Sequence, residues 1–448
     1  MGATIHQANP KRAMEKFDCI VIGGGPAGST AAALVAQAGL RTLLLEREQF
    51  PRFQVGGSLM PESYWTLQRL GVLPQLKASR YPCKASVQFV SHTGEELPPF
   101  YFHEADPREC SQTWQVLRSE FDQLLFENAR EHGADGRLGC RVIDVLFEGG
   151  QAIGVVAREA GDEQPRTIQG DVIIDATGRQ ALIASNLGLR QEVTQWRKAT
   201  IWAYYRGGRR DAGINAGATV ILKAANRRSW FWYVPLADDL VSVGLVADTD
   251  YLFSGRGKPE SVFEEELCHC PAVLQRLMNA ELVSDFRVLK DFSYVAQETA
   301  GDGWVLVGDA LGFVDPLFAS GGYLAMKSAE MAADCVIAGL QHGDLSAAQL
   351  GAWAGEFQQG VHWMRKLAEA FYHDGFCVEE FLRDYPQHRL HLTNLLAGKV
   401  FDEDAGLLFE DLDPWLAARQ PANGHAALQD HPAWHTPAAS RGSNLPLN

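Results

Sequence analysis

What this chain lacks narrows it quickly. Its eight cysteines, Cys19, Cys83, Cys110, Cys140, Cys268, Cys270, Cys335 and Cys377, never form a CxxC pair. That removes both a zinc ribbon and a disulfide framework. Cys268-His269-Cys270 comes nearest to a metal pattern, but residues two apart on a helix point apart, and no second pair accompanies them. No metal site is expected. Positive charge is scarce as well: 40 Lys and Arg stand against 55 Asp and Glu, a net charge of −15. Neutralising phosphates needs a basic surface, so nucleic-acid binding is excluded and the charge reads as solubility. No apolar run reaches about 18 residues, so no membrane span is expected. Residues 1–15 form a polar extension with Lys11 and Arg12 and no apolar stretch, unlike a secretory signal. The expected location is the cytoplasm. Residues 418–448, rich in Pro, Ala, Asn and His, read as a flexible tail.

What is present begins with a short apolar strand, Asp18-Cys19-Ile20-Val21-Ile22. It runs into Gly23-Gly24-Gly25-Pro26-Ala27-Gly28, then a helix over residues 29–37 closed by Gly39. A second strand, Arg41-Thr42-Leu43-Leu44-Leu45, ends at Glu46. A glycine loop between strand and helix, with an acid about 20 residues beyond, is the pattern of a dinucleotide site. Gly23 makes the turn, Gly25 lets backbone approach a pyrophosphate, and Gly28 lets helix and strand pack closely. The helix N-terminus holds the phosphates, and Glu46 suits the ribose hydroxyls. Asp171-Val172-Ile173-Ile174-Asp175-Ala176-Thr177-Gly178 and Gly303-Trp304-Val305-Leu306-Val307-Gly308-Asp309-Ala310 return to the same sheet as strands ending in turns. Asp309 suits a ribitol hydroxyl. Arg118 opens a helix and either reaches the cofactor or stays a surface arginine. No second GxGxxG unit is visible, so no separate nicotinamide site is expected.

Three further segments carry chemistry-bearing residues. Trp230-Phe231-Trp232-Tyr233-Val234-Pro235 makes a rigid aromatic strand, read either as a wall at a cofactor or as plain core. Lys84, in Tyr81-Pro82-Cys83-Lys84-Ala85-Ser86, starts another strand. From its position alone it is an exposed strand-edge lysine or a buried amine with a lowered pKa. Phe313-Val314-Asp315-Pro316-Leu317-Phe318-Ala319-Ser320-Gly321-Gly322 leads into a helix over 323–338, whose positive end faces the cofactor or an anion.

Over about residues 17–340 these segments resemble the glutathione-reductase-like flavoproteins of the aromatic-hydroxylase and halogenase branch. Within it, Trp230-x-Trp232-x-Val234-Pro235 is one Val-for-Ile step from the WxWxIP of flavin-dependent halogenases, and residues 313–321 are similar to their FxxPxxSxG stretch. The resemblance implies FAD, used as FADH2, with O2 and halide. It implies Gly23, Gly25, Pro26, Ala27, Gly28, Glu46, Arg47, Ser58, Arg118, Ala176, Gly178, Asp309, Pro316, Gly321 and Gly322 around the flavin. Trp230, Trp232 and Pro235 then form the wall, Ser320 and Gly321 meet halide, and Lys84 relays electrophilic halogen from HOCl to the substrate. A separate flavin reductase would supply FADH2.

The chain departs from the family at Gly57, where glutamate is common, and at Ala319, where the motif has serine. Phe318 and Ala319 occupy the space of the acid that free-tryptophan halogenases carry. The resemblance therefore points to phenols or carrier-bound pyrroles and polyketides. The alternative is a halogenase-like FAD oxidoreductase: a reductase, dehydrogenase or monooxygenase of an acyl or aromatic substrate. The expected fold is α/β, a Rossmann-type FAD domain (16–82, 118–190, 285–345) with an antiparallel substrate sheet (83–117, 191–284). A helical cap follows over 346–417.

Overall fold

The computed structural model describes residues 15–419, apart from 163, 194–196, 291–292, 314 and 374. The tail from 420, nearly all of the N-terminal extension and Val314 lie outside the described residues. The first layer is a sheet whose parallel core runs Asp135–Arg137, Thr42–Leu45, Lys16–Ile22, Arg166–Asp175, Trp304–Leu306. Cys19, Ile20 and Val21 are buried on both faces, the continuous apolar run that a strand covered on two sides requires. A hairpin, Cys140–Glu148 with Gln151–Glu159, extends the sheet from the start of Arg166–Asp175.

The first helix spans Pro26–Gln37, three residues earlier than its periodicity suggests, because Pro26 fits the first turn, where no N–H is needed. Its Ala31-Ala32-Ala33 run is buried where it packs between the helices Arg118–Glu131 and Gly321–His342. Alanine lets three elements close around one helix.

The second layer is a mostly antiparallel sheet. It contains the strands Lys198–Arg206, Leu240–Asp248, Ser229–Pro235 and Thr219–Lys223, with Ser86–Val90 joined in parallel. Arg287–Lys290 also pairs with Lys198–Arg206. Residues 285–345 are expected in the first domain, but the second layer claims this strand. Ser229–Pro235 obeys the two-residue period. Trp230, Trp232 and Val234 join the large core between the layers. Phe231 and Tyr233 join a separate cluster on the other face, where Phe231 meets Phe263 edge-on at 5.6 Å. Gly244 opposes Trp232 across the ladder, and a Cβ there would come within 2.1 Å of the indole. The glycine is the slot in which that ring lies.

Residues beyond 346 fold as helices, chiefly Ala354–Tyr372, Val378–Asp384, His388–Ala397 and Leu407–Ala417. Their aromatic residues pack together, as in the stacked pair Trp363 and Phe409. Among the described residues no helix is long and apolar enough to cross a membrane. Nor does any His, Cys, Asp and Glu group among them suit a metal; Cys268 is exposed and Cys270 buried.

Candidate functional site

A cavity of about 750 Å³ runs from the glycine loop to the face of the second sheet. At its first end the glycines do three different things. Gly23 has φ +106°, and a Cβ there would meet the Ala176 carbonyl oxygen at 2.3 Å. Gly28 has no room at all, since its Cβ would lie 1.8 Å from the Gly23 carbonyl oxygen. Gly25 is ordinary extended backbone, and its Cβ would meet only an Arg52 nitrogen at 3.6 Å. Its missing side chain leaves the helix N-terminus open to the cavity. Glu46 accepts the Gly24 N–H at 2.8 Å and the Glu48 N–H at 2.9 Å, which fixes its carboxylate at the loop.

Arg52 was not found from the sequence, because no spacing marks it. It lies 3.6 Å from Glu46 and 3.3 Å from Asp122, almost wholly buried, and its Nε has no partner. A buried guanidinium N–H without an acceptor, beside an open amide edge, fits a diphosphate. Farther along, Arg118 holds Asp122 through two bonds of 2.7 and 3.0 Å and donates to the Val55 carbonyl at 2.7 Å. It is a cavity wall rather than a surface arginine. Asp309 also faces the cavity, and burial pushes its carboxyl up to about 6.

At the other end Gly57, Ser58, Trp232, Pro316, Ala319, Gly321 and Gly322 line the space. Gly57 pairs with Val116, and a Cβ would stand 2.0 Å from the Val116 carbonyl oxygen. No side chain fits there, so the departure at 57 is built into the backbone. Ala319 has φ +57°, a left-handed conformation rare for alanine, which strains the loop just before the helix Gly321–His342.

Lys84 sits on the short strand Cys83–Lys84, paired with Thr113–Trp114. It is 0% exposed, which removes the strand-edge reading. Its Nζ donates to Ser58 Oγ at 3.0 Å and to the Leu59 carbonyl at 2.9 Å. No carboxylate compensates among the described residues, and burial pushes its pKa down to about 7. The amine lies one hydroxyl behind the cavity wall.

Most of the candidate residues meet around one space: Gly23, Gly25, Pro26, Ala27, Glu46, Arg47, Ser58, Arg118, Ala176, Gly178, Asp309, Pro316, Gly321, Gly322 and Trp232. Gly28, Lys84, Trp230, Pro235 and Ser320 do not line it. Gly28 packs beneath the loop, and Lys84 is screened by Ser58. Trp230 turns its Nε1 to Tyr372 Oη at 3.0 Å. Ser320 faces a smaller neighbouring cavity instead. Thr200, Trp202 and Tyr204, on the adjacent strand, do line the main space and were missed. Their alternation on residues 198–206 was the available signal.

A family model described as FAD binding domain matches residues 16–347. The 1H-pyrrole-2-carbonyl peptidyl-carrier-protein brominase of Pseudoalteromonas luteoviolacea is 30% identical over 325 residues, 72% of this chain and 77% of that protein. The corresponding chlorinase of Pseudomonas fluorescens is 28% identical over 419 residues, 89% of this chain and 92% of that one. Among solved structures, a flavin-dependent brominase superposes with a TM-score of 0.79 at 27% identity, covering 90% of this chain and 100% of its own. A flavoprotein/dehydrogenase from Cytophaga hutchinsonii reaches 0.81 at 26% identity, covering 90% and 98%.

Proposed function

The chain belongs to the FAD-binding family of flavin-dependent halogenases, and from that membership we propose that it transfers electrophilic halogen to a phenol or to a carrier-tethered pyrrole or polyketide. One observation carries this reading: Lys84 is a fully buried amine with no counter-ion, one hydroxyl behind the cavity face that Trp232 lines. A structural lysine gains nothing from such burial, whereas an amine held near neutrality can hydrogen-bond or accept electrophilic halogen. Arg52, the Gly25 amide edge and Glu46 would hold the nucleotide half of FAD, with Arg118 and Asp309 along its middle. Ser58, Pro316, Gly321 and Gly322 would surround the ring. Bound there in reduced form, FAD supplies two electrons to O2.

The residues do the rest. Trp232 excludes water from the face that Ser58 and Lys84 share, and Ser58 positions the Lys84 amine. Ser320 and Gly321, at the start of the helix Gly321–His342, are the halide candidates. A separate reductase delivers the reduced flavin in the cytoplasm. The pyrrole brominase and chlorinase among the relatives make carrier-bound pyrrole the first substrate to test, and phenols the second. Purified protein with FAD, a flavin reductase, NADH, bromide and both substrate types tests the reading by mass spectrometry. A brominated product that disappears in Lys84→Ala supports it. Gly57 favours one competing reading, an oxidoreductase without halogen transfer, because the backbone there bars the family's usual glutamate. Substrate turnover without halogen, equal in Lys84→Ala, would establish that competitor.

A further inference from the structure

A second, smaller cavity lies behind the loop 313–322. It is about 40 Å³, room for at least one water, which needs roughly 10–15 Å³. Asp309, Phe313 and Gly321 line both cavities, so the two spaces share a wall. Asp315 and Ser320 face the small one. Asp315 is buried and carries two kinds of partner: the Leu317 N–H donates to it at 2.8 Å, and Tyr372 Oη at 3.1 and 3.2 Å. Tyr372 ends the helix Ala354–Tyr372 and also accepts the Trp230 Nε1–H at 3.0 Å. One hydroxyl therefore joins the C-terminal helices, the aromatic wall and the loop beside the main cavity. Unlike Asp315, Tyr372 is partly exposed.

The proposed reaction sets a demand that this arrangement meets. Replacing an aryl C–H by C–halogen with halide, O2 and a two-electron-reduced flavin yields oxidised flavin and two waters. Those waters need four hydrogens: two come from the flavin, one from the ring, and one proton from solvent. That proton must enter a site that the aromatic wall keeps dry. We propose that Asp315, gated by Tyr372, is the relay that carries this proton from the C-terminal helix surface to the reacting site through the small cavity. Neither side chain is placed against the reacting atoms, so both act through what the cavity holds. This inference rests on the halogenase reading above.

The charged surroundings of Asp315 agree with a donor. Burial pushes its carboxyl up to about 7, opposed by the Leu317 and Tyr372 hydrogen bonds and by Lys198. Lys198 is itself paired with Asp248 at 2.7 Å and lies 4.3 Å from the Tyr372 ring. Across the small cavity, the half-buried Asp309 is likewise pushed up. Asp315 can therefore exchange a proton near neutral pH, and the half-buried Tyr372 is the side chain that ties it to the C-terminal helices.

Two measurements on the full chain test this. Infrared titration of the flavin-free protein should show a protonated carboxyl that titrates near neutrality and is missing in Asp315→Asn. In Tyr372→Phe, which keeps the ring but loses the donor to the carboxylate, the same band should titrate at higher pH. In wild type supplied with reduced flavin and bromide, product formation should fall as pH rises through that value. Asp315→Asn should lower the rate by roughly 10²-fold or more and flatten the profile; Asp315→Glu should restore the fall. A merely structural Asp315 would leave the shape of the profile unchanged. Normal bromination with an unaltered pH fall in Asp315→Asn overturns the relay alone. No brominated product from wild type overturns the halogenase reading, and the relay with it.

Discussion

The two halves of the cavity are built on opposite principles. The nucleotide half works with backbone: the Gly25 edge, the helix N-terminus and a carboxylate fixed by two amides. Its charges are formal and paired, as in Arg118 with Asp122. The ring half works with burial. Lys84 and Asp315 make no ion pair among the described residues, although Lys198 acts on Asp315 from farther off, and removal from water drives both towards neutral pH. The first half binds a charged group by presenting complementary charge. Under the proposed function, the second would hold its own groups close to their titration points, where each can give up or take a proton. Affinity and reactivity should therefore separate by mutation.

The sharpest test of that separation is Lys84. Lys84→Ala should lose roughly 10²–10⁴-fold in halogenated product while flavin affinity is unchanged. Lys84→Arg should fail nearly as far, because a guanidinium cannot become a neutral amine. Lys84→Met, which fills the volume, separates a packing defect from a chemical one. Flavin titration beside mass-spectrometric product analysis reads both. A Lys84 variant that loses flavin as well as product would erase the distinction between the halves.

The mirror test lies in the glycine loop. In Gly25→Val the backbone is already extended and the new carbons project into the cavity. The fold should survive while FAD binding weakens by more than about 100-fold, or about 2.7 kcal/mol. Gly28→Ala should do the reverse, since its Cβ collides with the Gly23 carbonyl; destabilisation of more than about 3 kcal/mol is expected. Calorimetric binding and thermal melts distinguish the pair. Retention of FAD by Gly25→Val at wild-type affinity would remove the phosphate from this end.

The same contrast explains what could be read from the chain before its structure. Strand, glycine turn, helix and Glu46 are local in sequence, so their geometry follows from spacing. The two-residue period of 230–234 is local as well, and it puts Trp230, Trp232 and Val234 on one face and Phe231 and Tyr233 on the other. Burial is not local. Nothing around Lys84 says that Ser58 and the Leu59 carbonyl will close over it; from its position alone an exposed strand-edge lysine is the commoner case. Arg52 and the Asp315–Tyr372 pair escaped for the same reason. Arg52 follows no motif, and Tyr372 stands 57 residues from its partner. Arg287–Lys290 was misplaced because a strand's sheet is chosen by its neighbours, not by its own pattern.

A smaller effect should appear in stability against pH. Lys84 is pushed from the ordinary lysine value of 10.5 down to about 7. Between these values the unfolded chain binds one proton more than the folded one, so stability rises with pH there. The burial penalty is largest below pH 7, where the lysine is charged in both states but solvated only in the unfolded one. Lys84→Met should flatten the slope between pH 7 and 9 by on the order of 1 kcal/mol per pH unit. Buried tyrosines such as Tyr294, pushed upward, act in the opposite direction only as pH approaches their ordinary range. Urea melts of both proteins across that window give the difference, and parallel slopes would mean Lys84 stays charged in the fold.

The least effect is expected at Ala319, where the ring half stores strain in its backbone. An alanine at φ +57° gives up roughly 1–2 kcal/mol relative to a right-handed conformation. Glycine removes that strain but loses about 0.5–1 kcal/mol more chain entropy on folding. Ala319→Gly should therefore stabilise the protein by roughly 0.5–1 kcal/mol, a rise of about 0.5–1 °C in Tm. The loop it relaxes carries Pro316 and Gly321 against the cavity and Asp315 against Tyr372. A freer backbone at 319 holds those groups less firmly, so halogenated product per flavin oxidised should drop while stability rises. Glu46 and Arg52 make their hydrogen bonds and ion pairs elsewhere, and FAD affinity should stay level. If Ala319→Gly melts lower than wild type, the strain is absent and residue 319 is simply packed; if product yield rises with stability, the loop's rigidity has no part in the chemistry.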